Sequence, residues 1–167
     1  MDEILRRDIE AQKSFDLIIL ALDDFKFVNK TFGVTTGDIM LMQVAYYLMT
    51  LAKRGKVYRY GADQFVLQVR HNEEDMYAIL DHIKERFRHP WITEEVSVML
   101  STTISCIAYP EDGSTMETLV DVIDYSVLSA KTQGKGSVVF AKDMDLHALR
   151  KEKAIEKAIE LAMDRDT

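Results

Sequence analysis

A chain of 167 residues, 47% of them hydrophobic and 29% charged, suits one globular domain with a sizeable core and excludes a disordered or fibrous chain. Its net charge of −7 excludes broad attraction to nucleic acid or to an anionic membrane surface, although a local basic patch can still take a small anion. A single cysteine, Cys106, excludes an internal disulfide, and no apolar run approaches the roughly 18 residues of a membrane span, so a cytoplasmic protein is expected.

From Met1 to about Lys13, Ile4, Leu5 and Ile9 fall on one side of a charged helix that begins without a capping residue and reads as clipped. Phe15 to Leu22 is a near-continuous apolar run of strand length, the pattern of a central strand covered on both faces. After Asp23-Asp24, Phe25, Val28 and Phe32 recur at helical spacing up to Gly33. The cluster Thr35-Thr36-Gly37-Asp38 is then expected to cap a long apolar helix reaching about Leu51. Val57 to Tyr60 and Phe65 to Val69 flank Gly61-Ala62-Asp63-Gln64 as a hairpin. A helix from Glu73 to Arg88 turns Met76, Leu80 and Ile83 inward and is stopped by Pro90. A strand from about Met99 to Ala108 follows. Next comes a helix carrying Leu119, Val122 and Ile123, ended by Gly134-Lys135-Gly136, and a last strand covers Ser137 to Ala141. From Asp143 the chain is a charged helix. This order predicts an α+β fold, a sheet layered with helices.

Several residues read as structural. Met40, Met42 and Met49 look like core filler. Only one ring of Tyr46-Tyr47 can be buried, Trp91 packs at a helix end, and His71, His82, His89 and His147 show no ligand spacing and are expected in solvent.

Three stretches carry a family resemblance. Ala21-Leu22-Asp23-Asp24-Phe25-Lys26-Phe27-Val28-Asn29-Lys30-Thr31-Phe32-Gly33 with Gly37-Asp38 is similar to the segment DxDxFKxxNDxxGHxxGD. Arg59-Tyr60-Gly61-Ala62-Asp63-Gln64-Phe65 stands where an RxGGDEF hairpin would, and Ala130-Lys131-Thr132-Gln133-Gly134-Lys135-Gly136 is similar to AKxxGRN. In this order the three resemble the GGDEF family of diguanylate cyclases, over about Phe15 to Ala141. The resemblance implies a palm-like nucleotide-cyclase fold, a central, mostly antiparallel sheet flanked by helices.

It also implies what the pocket has to do and where this sequence departs from it. A cyclase must hold Mg²⁺ on hard oxygens, normally two carboxylates from separate elements. Here Ala21 replaces the strand-end aspartate, leaving Asp63 and the backbone carbonyl of Leu22 as weak ligands or none. Asp23, the next carboxylate, is expected on the other face of the strand. Ala62 adds a Cβ where the family has glycine, at a cost of about 1–2 kcal/mol if the backbone there is left-handed. Gln64 replaces an acid and cannot act as a base. No confident catalytic residue therefore remains among Gly61, Ala62, Asp63, Gln64 and Phe65. Nucleotide recognition is better kept: Asn29 and Asp38 would meet the guanine edge, and Lys26, Lys131 and Lys135 the phosphates. Each has a plainer role too, because Asn and Asp cap helices and form turns, and lysines are favoured near a helix C-terminus. An RxxD inhibitory motif is absent, its place taken by Ala52-Lys53-Arg54-Gly55.

The expected function is that of a catalytically degenerate GGDEF domain in cyclic-di-GMP signalling, sensing GTP or making a homodimer contact. The alternatives are an active cyclase joining two GTP molecules and a ligand-free dimerisation module. Residues 1–142 are expected to form the GGDEF-like domain, with its lead-in truncated. Residues 143–167 are expected to form a linker helix toward an EAL phosphodiesterase domain.

Overall fold

The computed structural model describes residues 1–53 and 55–165. A short amphipathic helix, α1 (Asp2–Glu10), leads into β1 (Phe15–Leu22), all of whose residues are buried. The chain then runs through α2 (Phe25–Phe32), α3 (Val34–Ala52), β2 (Lys56–Arg59), β3 (Gln64–Arg70) and α4 (Glu73–Arg86). A two-residue ribbon, β4 (Trp91–Ile92) with β5 (Ser97–Val98), precedes β6 (Thr102–Tyr109), α5 (Met116–Gln133) and β7 (Val138–Phe140). A 3₁₀ turn at Ala141–Asp143 leads to α6 (Leu146–Arg165).

The strands form one five-stranded sheet in the order β2-β3-β1-β6-β7. β1 lies at its centre, antiparallel to both β3 and β6, and only β7 runs parallel to its neighbour. The expected mostly antiparallel sheet flanked by helices is thus the fold observed. Alternation along β1 divides the core in two. Ile18, Leu20 and Leu22 pack with α2, α3 and α4, whereas Leu17, Ile19 and Ala21 pack with Leu5 of α1 and with Leu119 and Ile123 of α5. Each large aliphatic buried on β1 contributes about 1.5–3 kcal/mol, which makes this strand the structural axis of the domain.

Several expectations need correction. The cluster Thr35 to Asp38 does not cap α3: the helix already begins at Val34 after Gly33, whose φ of 89° turns the chain sharply, and Thr36 and Gly37 are buried inside it. Met40 is buried as expected, but Met42 and Met49 are exposed. Of the tyrosine pair, Tyr47 is half-buried with its hydroxyl donating to His82 O at 2.8 Å, and Tyr46 is exposed. Cys106 is buried, its thiol pushed up to about 12 chiefly by desolvation.

His71 is more than a solvated surface residue. Its Nδ1 lies 2.8 Å from Oδ1 of buried Asp16, whose other oxygen accepts the amide of Asn72 at 3.3 Å. The hydrogen bond to Asp16, and then the charge of Asp16, raise the His71 pKa above 6.5. Burial raises that of Asp16 above 3.8 despite the histidine. A base raised on folding stabilises fully below its unfolded pKa and loses that contribution as pH rises through the folded one. Asp16 moves the same way in a separate, more acidic window. We expect the wild type to lose stability relative to His71→Gln as pH rises above 6.5 through the raised folded-state pKa of His71, read from urea midpoints at each pH; parallel profiles would contradict this.

Candidate functional site

The sheet brings the first two motifs together at the C-terminal end of β1. Ala21 lies opposite Gln64 of β3 on one side and Thr103 of β6 on the other. Leu22 N donates to Asp63 O at 2.9 Å, and Tyr60 N to Gln64 O at 2.8 Å, so the hairpin turn sits directly beside the strand end. Arg59 holds the turn from below: its Nε reaches Gly61 O at 3.2 Å and its Nη2 reaches Ala62 O at 2.5 Å. The hydroxyl of Tyr60 donates to Asp124 of α5 at 3.0 Å, and burial, then that carboxylate, push its pKa up to about 12.

Ala62 does not carry the backbone strain considered for it. Gly61 takes the positive φ, 94°, whereas among the described non-glycine residues only Gln12, Asp24 and Lys53 do so. The cost at Ala62 is therefore confined to the room its methyl group occupies.

Asp23 is a second correction. Residues two apart on a strand share a face, and the Asp23 carboxylate lies with Thr103, the residue opposite Ala21. It is fully engaged: Oδ1 accepts from Thr103 Oγ1 at 2.7 Å, and Oδ2 from Ser101 Oγ at 2.6 Å and Gly136 N at 3.2 Å. Asp23 N in turn donates to Ser101 O at 2.9 Å. This carboxylate ties the end of β1 to β6 and to the loop before β7. Sequence reading missed Ser101 and Thr103, which have no motif of their own.

As a place for Mg²⁺ this end of the sheet is poor in ligands. Ala21 offers a methyl group, Asp23 is committed to three donors, and Asp63 is left with the Leu22 carbonyl. Among the described residues no three His, Cys, Asp or Glu side chains come together to hold a metal ion. The donor set does not fit a divalent cation that prefers near-octahedral oxygen coordination.

The nucleotide-binding candidates lie on α2, α3 and α5 and in the loop between α5 and β7. Asn29 projects from α2 against α3 at Gly37, where an added Cβ would fall 1.9 Å from Asn29 Oδ1. Only glycine there leaves room for the asparagine. Asn29 Oδ1 is buried without a donor, so the amide is incompletely satisfied within the chain. Asp38, the residue after Gly37, is exposed, as are Lys26 on α2 and Lys131 at the end of α5. Lys135 forms an ion pair with Asp24, the left-handed residue that opens α2. A cavity of about 410 Å³ opens beside it, lined by Asp23, Asp24, Phe27, Phe32, Ser101 and Lys135. A larger cavity, about 660 Å³, lies at the other end of β1 and β3 among Arg7, Lys13, Lys56, Arg70 and His71. It contains none of the residues matched to the catalytic or nucleotide motifs.

At the position of the inhibitory motif, Gly55 N donates to Ala52 O at 2.6 Å, and a Cβ at Gly55 would meet Gln68 O at 2.3 Å. This turn has no room for an aspartate. Arg54 lies outside the described residues, as do the last two residues of the expected linker helix, Asp166 and Thr167. Among the described residues no helix is long and apolar enough to cross a membrane.

Comparison with known proteins gives a consistent set of matches. The family model described as "Diguanylate cyclase, GGDEF domain" matches residues 1–137. The chain is 28% identical over 151 residues to the bifunctional diguanylate cyclase/cyclic di-GMP phosphodiesterase MucR of Pseudomonas aeruginosa, covering 89% of the chain but 22% of MucR. It is 31% identical over 130 residues to the probable diguanylate cyclase DgcI of Escherichia coli, covering 76% of the chain and 28% of DgcI. Among solved structures, the GGDEF domain of TpbB from Pseudomonas aeruginosa superposes with a TM-score of 0.76 at 26% identity, covering 84% of this chain and 86% of that one. An EAL/GGDEF domain protein from M. capsulatus gives a TM-score of 0.70 at 25% identity, covering 81% and 92%. The chain spans well under half the length of these curated relatives.

Proposed function

Because the chain belongs to the GGDEF family of diguanylate cyclase domains, we propose that it serves cyclic-di-GMP signalling as a regulatory module whose catalytic centre has decayed. It takes a guanine nucleotide without turning it over and passes that state on to an attached phosphodiesterase domain. The observation that carries this reading is Ala21. A methyl group stands at the end of β1 beside Gln64 and Thr103, and the neighbouring carboxylate of Asp23 is held by two hydroxyls and an amide. Phosphoryl-transfer chemistry depends on cations at the triphosphate, and Asp63 with one carbonyl is too thin a ligand set for them.

Recognition groups persist beside the depleted centre. The half-buried amide of Asn29 can meet the guanine edge, Asp38 can accept from the N1 and N2 hydrogens, and Lys26 and Lys131, exposed and in no ion pair among the described residues, can meet phosphate. Lys135 can join them by releasing Asp24, an exchange between exposed ions that costs little. For the output, α6 runs outward from Leu149, its last buried residue, as a charged helix suited to join the domain to an EAL domain. MucR and the M. capsulatus protein are relatives whose names carry both activities or both domains.

Calorimetry with GTP, with and without Mg²⁺, tests the reading. The expected result is weak binding that the metal leaves nearly unchanged and that Asn29→Ala abolishes. Absence of heat at millimolar GTP removes the sensor, and tight binding that requires Mg²⁺ restores the enzyme.

A further inference from the structure

Lys135, the cation of the third motif, is answered from within the chain. Its ammonium pairs with Oδ2 of Asp24, 111 residues earlier in the sequence. The segment DxDxFK leaves position 24 open, so this carboxylate belongs to the present sequence and not to the motif. Asp24 is also fixed in place: with φ 53° it opens α2, and its carbonyl accepts from Phe27 N at 2.9 Å. The hydrogen bond to Asp24, and then its charge, raise the Lys135 pKa above 10.5. The ammonium is therefore charged and already engaged before any ligand arrives.

We propose that, through this pair, the guanine pocket of this chain prefers a nucleotide with a single phosphate, GMP, to the triphosphate. The inference deepens the guanine reading above and rests on it. A phosphate monoester carries about −1.5 to −2 at pH 7, and each added phosphate brings about one more charge that a cation must meet. Lys135 is, among the described residues, the one cation lining the cavity of about 410 Å³ beside the strand end. A phosphate can take it only by displacing Asp24. The exposed pair parts easily, but the displaced carboxylate stays on a fixed backbone in the cavity wall, and there it opposes the incoming anion at close range. The rest of the wall gives no relief. Phe27, 67% exposed, and Phe32 offer no donor, and the Ser101 hydroxyl and the Gly136 amide are spent on Asp23. Lys26 and Lys131 remain, and two ammonium groups balance about one phosphate.

A purely structural role explains the pair less well. Its side chains are 67% and 58% exposed, and an ion pair so open to solvent adds little to stability. The loop is already anchored on either side of Lys135 by other bonds, from Gly136 N to Asp23 at 3.2 Å and from Ser137 Oγ to Ala130 O at 2.7 Å. The effect of Asp24 therefore falls on what binds, as a charge set against the more anionic of two related ligands.

Calorimetry of the full chain with GMP and with GTP, in a chelator and at one ionic strength, tests the preference. The dissociation constant for GMP should be lower by about fivefold or more. Asp24→Asn removes the charge and keeps a residue that tolerates the left-handed backbone. It should tighten GTP roughly tenfold and GMP less than threefold, closing or reversing the order, with the thermal midpoint unchanged. GTP bound as tightly as GMP by the parent chain, or a ratio that Asp24→Asn does not move, overturns the proposal and leaves the guanine reading standing. Heat from GMP alone carries the proposal and removes GTP as the signal. Heat from neither ligand removes both the proposal and the reading beneath it.

Discussion

A variant carrying Ala21→Asp, Ala62→Gly and Gln64→Glu is expected to form cyclic di-GMP from GTP and Mg²⁺ where the parent does not. Ala21 stands near the end of β1 and Asp63 in the turn just before β3, held beside each other by the Leu22–Asp63 backbone bond. An aspartate at 21, beside that turn, is expected to complete a two-carboxylate site with Asp63. The gain should be at least a thousandfold in rate, because a correctly held cation is worth several kcal/mol of transition-state charge. The single change Ala21→Asp carries its own signature. Ala21 is buried among Val66, Ile19 and the α5 face, so the metal-free variant should lose about 2–4 kcal/mol of stability. Mg²⁺ at a hundred times its dissociation constant should return about 2.7 kcal/mol. A thermal scan with and without Mg²⁺ measures both, and a variant insensitive to the metal would mean that the scaffold, and not only its ligands, has drifted.

The second large effect concerns Asp23→Ala, expected to destabilise the domain by about 2–3 kcal/mol in urea unfolding. Its carboxylate accepts from Ser101, Thr103 and the Gly136 amide, tying together the ends of β1 and β6 and the loop leading to β7. Removing it leaves a backbone amide and two hydroxyls without their acceptor. Asp23→Asn, which keeps the shape and part of the bonding, should cost less than half as much. Neither variant should change GTP affinity once folded. A large loss of affinity at unchanged stability would move Asp23 from scaffold to ligand.

The parts legible in the sequence were those set by local pattern. The near-continuous apolar run Phe15–Leu22, broken by Asp16 alone, became the fully buried β1, and the Gly61–Gln64 turn became the hairpin beside it, so the place of Ala21 next to that turn was legible before any fold was known. What was not legible depends on distant partners. The acceptors of Asp23 are filled by hydroxyls 78 and 80 residues away, and Asp16 meets His71 across 55. The exposed face of α3 was hidden for another reason: a helix apolar on every side has no stripe to mark its inward face, so Met42 and Met49 looked the same as Met40. The ribbon of β4 and β5, two residues each, is too short for alternation to register.

The most direct test of the decayed centre is product formation. Purified protein at high concentration, incubated with GTP and Mg²⁺ or Mn²⁺ and assayed by chromatography, should yield no cyclic di-GMP while the triple variant beside it does. Steady accumulation of the dinucleotide by the unaltered chain would contradict the account.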